Sequence, residues 1–372
     1  MSRLHFFYPQ NDLALARDVD HFTAPPAAQR LAMAGQTLPL WFGDEGDTVI
    51  DDGINGRWYK QMCDKFDIKV LPFGGWKDDM IAAPWGWSKS CRRPLAERGV
   101  PMTAMPSDES LEAIRQLSHR RTSAEIASRL AQKLSFPIAP AAVELHSGDE
   151  VTAFVAEAKD AILKLPWSSS GRGIIPVSTA DLDSRRQSIE GAIARQGSIM
   201  GELRLNKVFD FALLYSMYGG KCRFDGFSVF NTQASGAYSS NLLAGDEVLR
   251  SLIEEHVPAE QLDALMDALP PILEDIIGDA YSGPIGMDML ACTGRDFVLA
   301  PAVELNLRNT MGHVCRRLFD KHISPSARGK YYIVPAADYP GDDFACSNGR
   351  MNSGRLNLAQ PGADFAFVAE LS

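Results

Sequence analysis

The chain has 372 residues, 45% of them hydrophobic and 23% charged, a composition typical of a globular protein with two or three domains. The formal net charge of −10 argues against a general nucleic-acid binder, because such proteins present a basic surface. No apolar run reaches the ~20 residues of a membrane-spanning helix, and Met1–Pro9 lacks the long apolar run of a signal peptide. We therefore expect a cytoplasmic protein without nucleic-acid or membrane partners.

The cysteines and histidines do not suggest a metal knuckle or a disulfide framework. The six cysteines are scattered without a Cys-x-x-Cys pair, and the seven histidines form no His-x-x-Glu-His or Glu-x-x-His set. Scattered thiols of this kind are typical of reduced, mostly buried cysteines in a cytoplasm.

Alternating strands and helices predict a small α/β domain at residues 1–106. The predicted strands are Leu4–Tyr8, Leu38–Phe42 and Ile68–Leu71, and a helix is predicted at Pro25–Ala34. After the first strand, Asn11 or Asp12 is expected to cap a helix, with capture of an anion or substrate as the alternative. Tryptophans in Gly74–Trp76 and Pro84–Trp87 are expected to pack in the core, and the alternative is an aromatic wall for a substrate.

The segment Lys164–Gly173 reads Lys-Leu-Pro-Trp-Ser-Ser-Ser-Gly-Arg-Gly and follows a predicted strand at Ala161–Leu165. Its small residues can bring backbone N–H groups and hydroxyls close to an anion, and Lys164 adds a positive charge. The segment is not a Walker loop, because Gly-x-x-x-x-Gly-Lys-Ser/Thr is absent. The alternative is a mobile hairpin tip.

Two hairpins and a long helix are predicted in the second half of the chain. The first hairpin turns at Gly219-Gly220, between strands Phe209–Tyr218 and Lys221–Thr232. A helix follows at Glu260–Gly278, interrupted by Pro270-Pro271. The second hairpin joins Ile285–Ala291 to Phe297–Leu305.

The segment Glu304-Leu-Asn-Leu-Arg308 combines a carboxylate, an amide and a guanidinium with strand periodicity. Alternate side chains of a strand lie on one face, so Glu304, Asn306 and Arg308 are expected to project together. The second hairpin brings Asp288 beside Glu304, and paired carboxylates are unfavourable without a cation. Oxygen donors suit Mg²⁺ and a guanidinium suits phosphate, which favours a metal site over a solvated polar face.

The order of these motifs resembles that of the ATP-grasp family, over roughly residues 107–325. The matching features are Lys164 on a strand, a Ser/Gly loop, an acidic hinge at Glu202, Asp288 and the 304–308 segment. The resemblance implies an α/β (α+β) fold in which two α+β subdomains grip ATP, preceded by a small α/β domain. The implied division is an N-terminal domain at 1–106, ATP-grasp subdomains at 107–200 and 201–330, and a C-terminal extension at 331–372.

The resemblance also implies roles for individual residues. Lys164 would contact the ATP phosphates, and Arg308 would stabilise the phosphate or intermediate. Asp288, Glu304 and Asn306 would bind the metal. Arg120 or Arg121 would fill the place of an early basic residue that touches phosphate. The remaining nucleotide contacts would come from the flexible loop, the hinge and a ribose-binding acid whose register Lys207 could shift: Ser168, Ser169, Ser170, Gly171, Arg172, Gly173, Glu202, Leu205 and Asp210.

The implied activity is that of a carboxylate–amine ligase that uses ATP and Mg²⁺, with Mn²⁺ as an alternative. A small-molecule or peptide carboxylate would become an acyl phosphate and would then be joined to an amine, with release of ADP and phosphate. The alternatives are phosphate transfer to a hydroxyl in the same site and a nucleotide-binding module without catalysis. A homodimer is expected from the frequency of dimers among soluble proteins.

Overall fold

The computed structural model describes residues 2–168, 171, 173–233 and 235–372. Its N-terminal part contains a parallel sheet in the order β3-β2-β1-β4. The strands are β1 Ser2–Phe6, β2 Thr48–Val49, β3 Leu71–Pro72 and β4 Met80–Pro84. The helices of this part are α1 Asn11–Arg17, α2 Pro26–Ala34, α3 Pro39–Phe42, α4 Gly56–Phe66 and α5 Lys89–Ala96.

Two details of the predicted N-terminal part are wrong. The segment predicted as a strand at Leu38–Phe42 forms helix α3, which Pro39 begins with a backbone angle suited to a first helical turn. The strand predicted at Ile68–Leu71 begins only at Leu71. Helix α2 is confirmed at Pro26–Ala34.

A second, antiparallel sheet has the order β5-β8-β6-β7 and its own apolar core. The chain reaches it through helices α6 Asp108–Leu117 and α7 Arg120–Lys133. The sheet and its helices are β5 Val143–Leu145, α8 Gly148–Ala158, β6 Asp160–Lys164, β7 Ile174–Ser178, α9 Leu182–Gln196 and β8 Ile199–Leu203.

Within the described residues, nine strands form the large sheet in the order β13-β12-β9-β10-β11-β14-β17-β16-β15. The strands are β9 Asn206–Tyr218, β10 Lys221–Thr232, β11 Tyr238–Leu243, β12 Gly283–Thr293, β13 Leu299–Asn306, β14 Gly329–Pro335, β15 Asp343–Ser347, β16 Arg350–Asn357 and β17 Phe365–Leu371. The helices are α10 Asp246–Glu254, α11 Ala259–Ile277 and α12 Met311–His322. Both predicted hairpins are confirmed, and Gly219 and Gly220 have the positive φ angles that the first turn requires.

The predicted interruption of helix α11 is wrong, because α11 runs through Pro270 and Pro271. A proline removes one backbone donor, which weakens a helix. Here the apolar face that includes Leu265, Leu269 and Leu273 is buried, so tertiary packing keeps the helix continuous.

The residues of the predicted C-terminal extension, 331–372, continue the large sheet. Residue 330 lies inside β14, which pairs with β11 on one side and β17 on the other. The predicted division into four domains stays a prediction.

In the described part of the chain, every helix is too short or too polar to span a lipid bilayer.

Trp41, in the N-terminal part, is hydrogen bonded to Leu358, which lies between strands β16 and β17. Its side chain is fully buried, and its indole Nε1 donates to the carbonyl oxygen of Leu358 at 2.9 Å. Trp41→Phe leaves this buried carbonyl without that donor and leaves a cavity, so we expect unfolding free energy to fall by about 2–4 kcal/mol. Urea denaturation measures the change, and the half-buried Trp76→Phe is the matched control. Equal stabilities for the two variants would contradict the assigned contact.

Candidate active site

Strand β13 borders two clefts. Its residues 300–303 line the first, here named the hinge cleft, with an empty volume of about 460 Å³. Its last residues, 304–306, line the second together with Leu307 and Arg308, which follow the end of the strand; this second cleft, here named the carboxylate cleft, has an empty volume of about 320 Å³. The other walls of the hinge cleft are Ala127, residues 139–142, Glu202, Leu203, Leu205 and Leu290. The other walls of the carboxylate cleft are Asn11, Asp12, Leu15, Ser118 and residues 166–168.

Asp288 and Glu304 face each other across the β12–β13 pair, as predicted from the hairpin. Asn306 lies two residues farther along β13 on the same face, and its Nδ2 donates to Asp288 Oδ2 at 3.2 Å. The opposite face carries Met287, Met289 and Leu305, which are buried in the core. The alternation of the two strands therefore separates a polar face from an apolar one.

Burial and the neighbouring carboxylate of Glu304 change the protonation of Asp288. Burial, followed by the charge of Glu304, raises the pKa of Asp288 to about 7. Among the described residues, no three His, Cys, Asp or Glu side chains converge as a metal cluster. The donor set at this position is therefore two carboxylates and one amide, which are hard oxygen ligands of the kind that suits Mg²⁺.

Arg120 contacts both the loop that follows β6 and the carboxylate of Glu304. Its Nη2 donates to Glu304 Oε1 at 2.8 Å and to Ser168 Oγ at 3.3 Å, and its Nε donates to the carbonyl oxygen of Leu165 at 3.1 Å. Helix α7 packs against β13, and Leu305 N donates to Ser123 Oγ at 2.9 Å. Of the two arginines proposed from sequence, Arg120 is buried at the site, whereas Arg121 lies near the surface and contacts Gln116.

His119 fixes the start of helix α7, immediately before Arg120. Its Nδ1 accepts a hydrogen bond from Arg121 N at 3.0 Å, which makes it the N-cap. We expect His119→Ala to lower unfolding free energy by about 1 kcal/mol, whereas His119→Asn restores a capping acceptor and costs less. Chemical denaturation of both variants measures the difference. Equal losses for alanine and asparagine would show that the cap contributes nothing.

Lys164 and Glu202 form an ion pair on the second sheet. Lys164 Nζ lies 2.6 Å from Glu202 Oε2, and the lysine side chain is 7% exposed. The two residues lie on neighbouring strands β6 and β8, in diagonal register on one face. Glu202 also lines the hinge cleft with Leu205, so the ion pair lies at the border between the two sheets.

Asp210 lies on the same sheet face as the carboxylates but one strand away. It pairs in register with Leu290, which lines the hinge cleft. Its Oδ2 accepts from Lys207 Nζ at 2.6 Å and from Thr232 Oγ1 at 2.9 Å. Lys207 therefore neutralises Asp210 without displacing it from the strand.

The Ser/Gly loop is described only at Ser168, Gly171 and Gly173. Ser169, Ser170 and Arg172 lie outside the described residues. Gly171 has a φ of 73° and packs so closely that an added Cβ would lie 2.4 Å from the carbonyl carbon of Gly236. Only glycine fits this contact between the loop and the β10–β11 connection.

Arg308 pairs with a residue that the sequence did not link to it. Its Nε donates to both carboxylate oxygens of Asp12, at 2.9 and 3.0 Å, and its Nη2 lies 2.7 Å from Asp12 Oδ2. The predicted cap is wrong for both candidates, because α1 already begins at Asn11 and its N-cap is Gln10. The only sequence signal for this role was the position of polar residues directly after the first strand.

The aromatic stretch at Pro84–Trp87 packs in the core. Trp85 is 4% exposed and contacts Phe7 edge to face, and Trp87 is also buried. The backbone beside them supports the site, because Trp85 O accepts from Asn309 N at 2.7 Å and Gly86 bridges to Arg308.

Comparison with known proteins gives matches in structure but not in sequence. Neither the protein-family models nor the sequences of curated proteins match the chain. A biotin carboxylase–β-γ-ATP complex from Campylobacter jejuni matches 100% of this chain and 87% of its own, with a TM-score of 0.53 and 12% identity. A phosphoribosylamine–glycine ligase from Thermotoga maritima matches 99% of this chain and 92% of its own, with a TM-score of 0.52 and 10% identity.

At these identities the likeness concerns the fold alone. Both solved structures share the arrangement of mixed α/β layers over nearly the whole chain. As the order of motifs in the sequence predicted, the chain has the ATP-grasp fold.

Proposed function

We propose that this protein is an ATP-dependent ligase that activates a carboxylate as an acyl phosphate and joins it to an amine. The observation that carries the proposal is the pairing of Asp288 with Glu304 on one sheet face, next to the buried Arg120. Two close carboxylates favour a bound cation, and a buried guanidinium beside them favours a phosphate.

The hinge cleft is the proposed adenine site. Its walls are mostly apolar and include Leu203, Leu205 and Leu290, as expected for a site that encloses a flat aromatic ring. Glu202 borders this cleft, and the ion pair of Glu202 with Lys164 holds the ammonium group at the same border. Asp210 lies on β9, opposite Leu290 of the hinge cleft, and is the proposed ribose ligand.

The phosphates would lie between the hinge cleft and the carboxylates. Lys164 and Arg120 supply positive charge there, and Ser168 is hydrogen bonded to Arg120. The predicted phosphate contacts of Ser169, Ser170, Gly171, Arg172 and Gly173 belong to this proposal. In the described structure both cations already have acidic partners, so they are held in position before ATP binds.

Asp288, Glu304 and Asn306 are the proposed ligands of Mg²⁺, with Mn²⁺ as an alternative. When bound, the cation neutralises charge that develops on the phosphates. The raised pKa of Asp288 fits this assignment, because a bound cation would offset both causes of the rise, the burial of the carboxylate and the charge of Glu304.

The proposed reaction has two steps. A substrate carboxylate oxygen attacks the γ-phosphorus, which forms a carboxyl oxygen–phosphorus bond, breaks the bond to ADP and gives an acyl phosphate. The amine nitrogen then attacks the acyl carbon, and inorganic phosphate leaves with one proton of the amine. Arg308, beside Glu304 and Asn306 in the carboxylate cleft, would stabilise the anionic oxygen in both steps.

A screen of carboxylates and amines tests this function. Each acid–amine pair is incubated with MgATP, and ADP formation is followed with a coupled assay. We expect ADP only when both substrates are present. Formation of AMP and pyrophosphate would contradict the acyl-phosphate scheme, and a phosphorylated alcohol without an amide would indicate phosphate transfer.

The substrates, the cellular location, the oligomeric state and the domain boundaries are part of the same proposal. We expect small-molecule or peptide substrates, a cytoplasmic location and a homodimer. The division at residues 106, 200 and 330 would separate an N-terminal domain, two nucleotide-gripping subdomains and a C-terminal extension.

A further inference from the structure

The carboxylate cleft has one wall that the proposed ATP chemistry does not use. This N-terminal wall consists of Asn11, Asp12 and Leu15 on helix α1, and it faces residues 304–308. A substrate that reacts beside Glu304 therefore lies in the same cleft as this wall. The hydrogen-bonding groups of the N-terminal wall indicate which kind of ligand it binds.

Asp12 has acceptor capacity beyond its contact with Arg308. The two side chains are 15% and 14% exposed, so the ion pair is largely shielded from water. Arg308 approaches both oxygens of Asp12 along one edge of its guanidinium, and its Nη1 donates to Asn309 O at 3.1 Å. A carboxylate has about four acceptor positions, so Asp12 can accept additional hydrogen bonds from a ligand.

Asn11 supplies an independent indication of a ligand. It is 1% exposed, and within the described residues its Oδ1 has no hydrogen-bond donor. The Asn11 side chain packs against Gly86, where an added Cβ would stand 2.6 Å from Asn11 Nδ2. An unpartnered buried acceptor is unfavourable, and a ligand with N–H groups in this cleft would satisfy Asn11 Oδ1.

We propose that the N-terminal wall binds the amine substrate in its protonated form, with Asp12 and Asn11 as acceptors for the ammonium N–H groups. The inference rests on the proposed ligase function and names the nucleophile as a small primary amine that is cationic at neutral pH. A substrate carboxylate has no N–H groups to donate, so it would leave the acceptors Asp12 and Asn11 unsatisfied.

The proton balance of amide formation is consistent with this assignment. The bound ammonium releases one proton to water and becomes a nucleophilic amine. Attack on the acyl carbon forms the C–N bond and breaks the C–O bond to phosphate, and the second proton leaves with phosphate as HPO₄²⁻. The products are the amide, HPO₄²⁻ and one proton in water.

A binding experiment tests the inference without turnover. Glycinamide, a small cationic amine without a carboxylate, is titrated into the full-length protein by calorimetry, with uncharged acetamide as the comparison ligand. We expect glycinamide to bind to the unaltered protein and to bind about 10- to 100-fold more weakly to Asp12→Asn, because a charged hydrogen bond is lost. Asn11→Ala, which keeps every charge, is expected to weaken binding about threefold to tenfold.

Control variants distinguish a loss of glycinamide binding from a loss of folding. Asp20→Asn changes the same charge at a side chain that is 69% exposed and should bind glycinamide like the unaltered protein. Melting curves show whether Asp12→Asn is folded. If it is not, the effect of Asn11→Ala on glycinamide binding decides whether the inference holds. Glycinamide binding that equals acetamide binding, or that neither variant weakens, would overturn the inference. The ligase function fails separately, if no acid–amine pair yields ADP.

Discussion

Asp288→Asn is expected to lower ATP-dependent turnover at least about 100-fold and, at the same time, to raise the melting temperature by about 2–4 °C. The first effect follows because asparagine replaces one of two carboxylates in the proposed metal site. The second follows because asparagine removes a charge that is buried in the folded protein and is also repelled by Glu304. Opposite effects on activity and stability are typical of functional residues.

The pH dependence of the stability gain follows from the pKa of Asp288. The pKa is raised in the folded protein to about 7 from an ordinary value of 3.8, so the folded state binds more protons than the unfolded state between these values. Stability therefore falls as pH rises through this window. The gain from Asp288→Asn should be near zero below about pH 4 and largest above about pH 7.

Melting curves from pH 4 to 8 measure this gain, and an ADP assay measures turnover. Asp279→Asn, an acid outside both clefts, is the matched control. A variant with full activity, or one that is less stable at pH 8 than the unaltered protein, would contradict the assignment of Asp288.

Arg120→Ala is expected to raise the KM for ATP about 10- to 100-fold, whereas Arg121→Ala should change it less than about threefold. Arg120 is buried and contacts both Ser168 and Glu304. Arg121 follows it directly in sequence, but its side chain is 46% exposed. The two variants remove the same group from adjacent positions, so each controls for the other.

Initial rates at varied ATP give both values, and melting curves verify folding. Arg120→Lys keeps the charge but cannot hold Ser168 and Glu304 with one planar group, so it should recover only part of the loss. Equal KM values for the alanine variants at positions 120 and 121 would contradict the placement of Arg120 at the phosphates.

The pair of Asp288 and Glu304 could be predicted from sequence because its causes are local. Strand alternation and a short hairpin connection fix which residues face each other, and both are visible within 20 residues of chain. The structure confirms the opposition of these two residues and their common face with Asn306.

The choice between Arg120 and Arg121 could not be made from sequence. It depends on which side of helix α7 packs against β13, a contact between residues more than 180 positions apart. The contact of Asp12 with Arg308 joins residues 296 positions apart and could not be predicted from sequence either. Local patterns indicate strands and turns, but only the assembled sheets bring such residues together.

Errors in the predicted elements have a similar origin. Leu38–Phe42 is apolar enough for a buried strand, and a short apolar run does not distinguish a strand from a buried helical turn. Pro270-Pro271 suggested a break in α11, yet the buried face of the helix overrides the local preference. In both cases tertiary packing decided the structure.

Oxygen transfer from the carboxylate to phosphate is the most direct test of the proposed chemistry. The acid found in the substrate screen is labelled with ¹⁸O in its carboxyl group, and the products are examined by ³¹P NMR. If the carboxylate attacks the γ-phosphorus, one ¹⁸O atom must appear in inorganic phosphate for each amide formed. Unlabelled phosphate, or ¹⁸O in AMP, would contradict acyl-phosphate formation in this site.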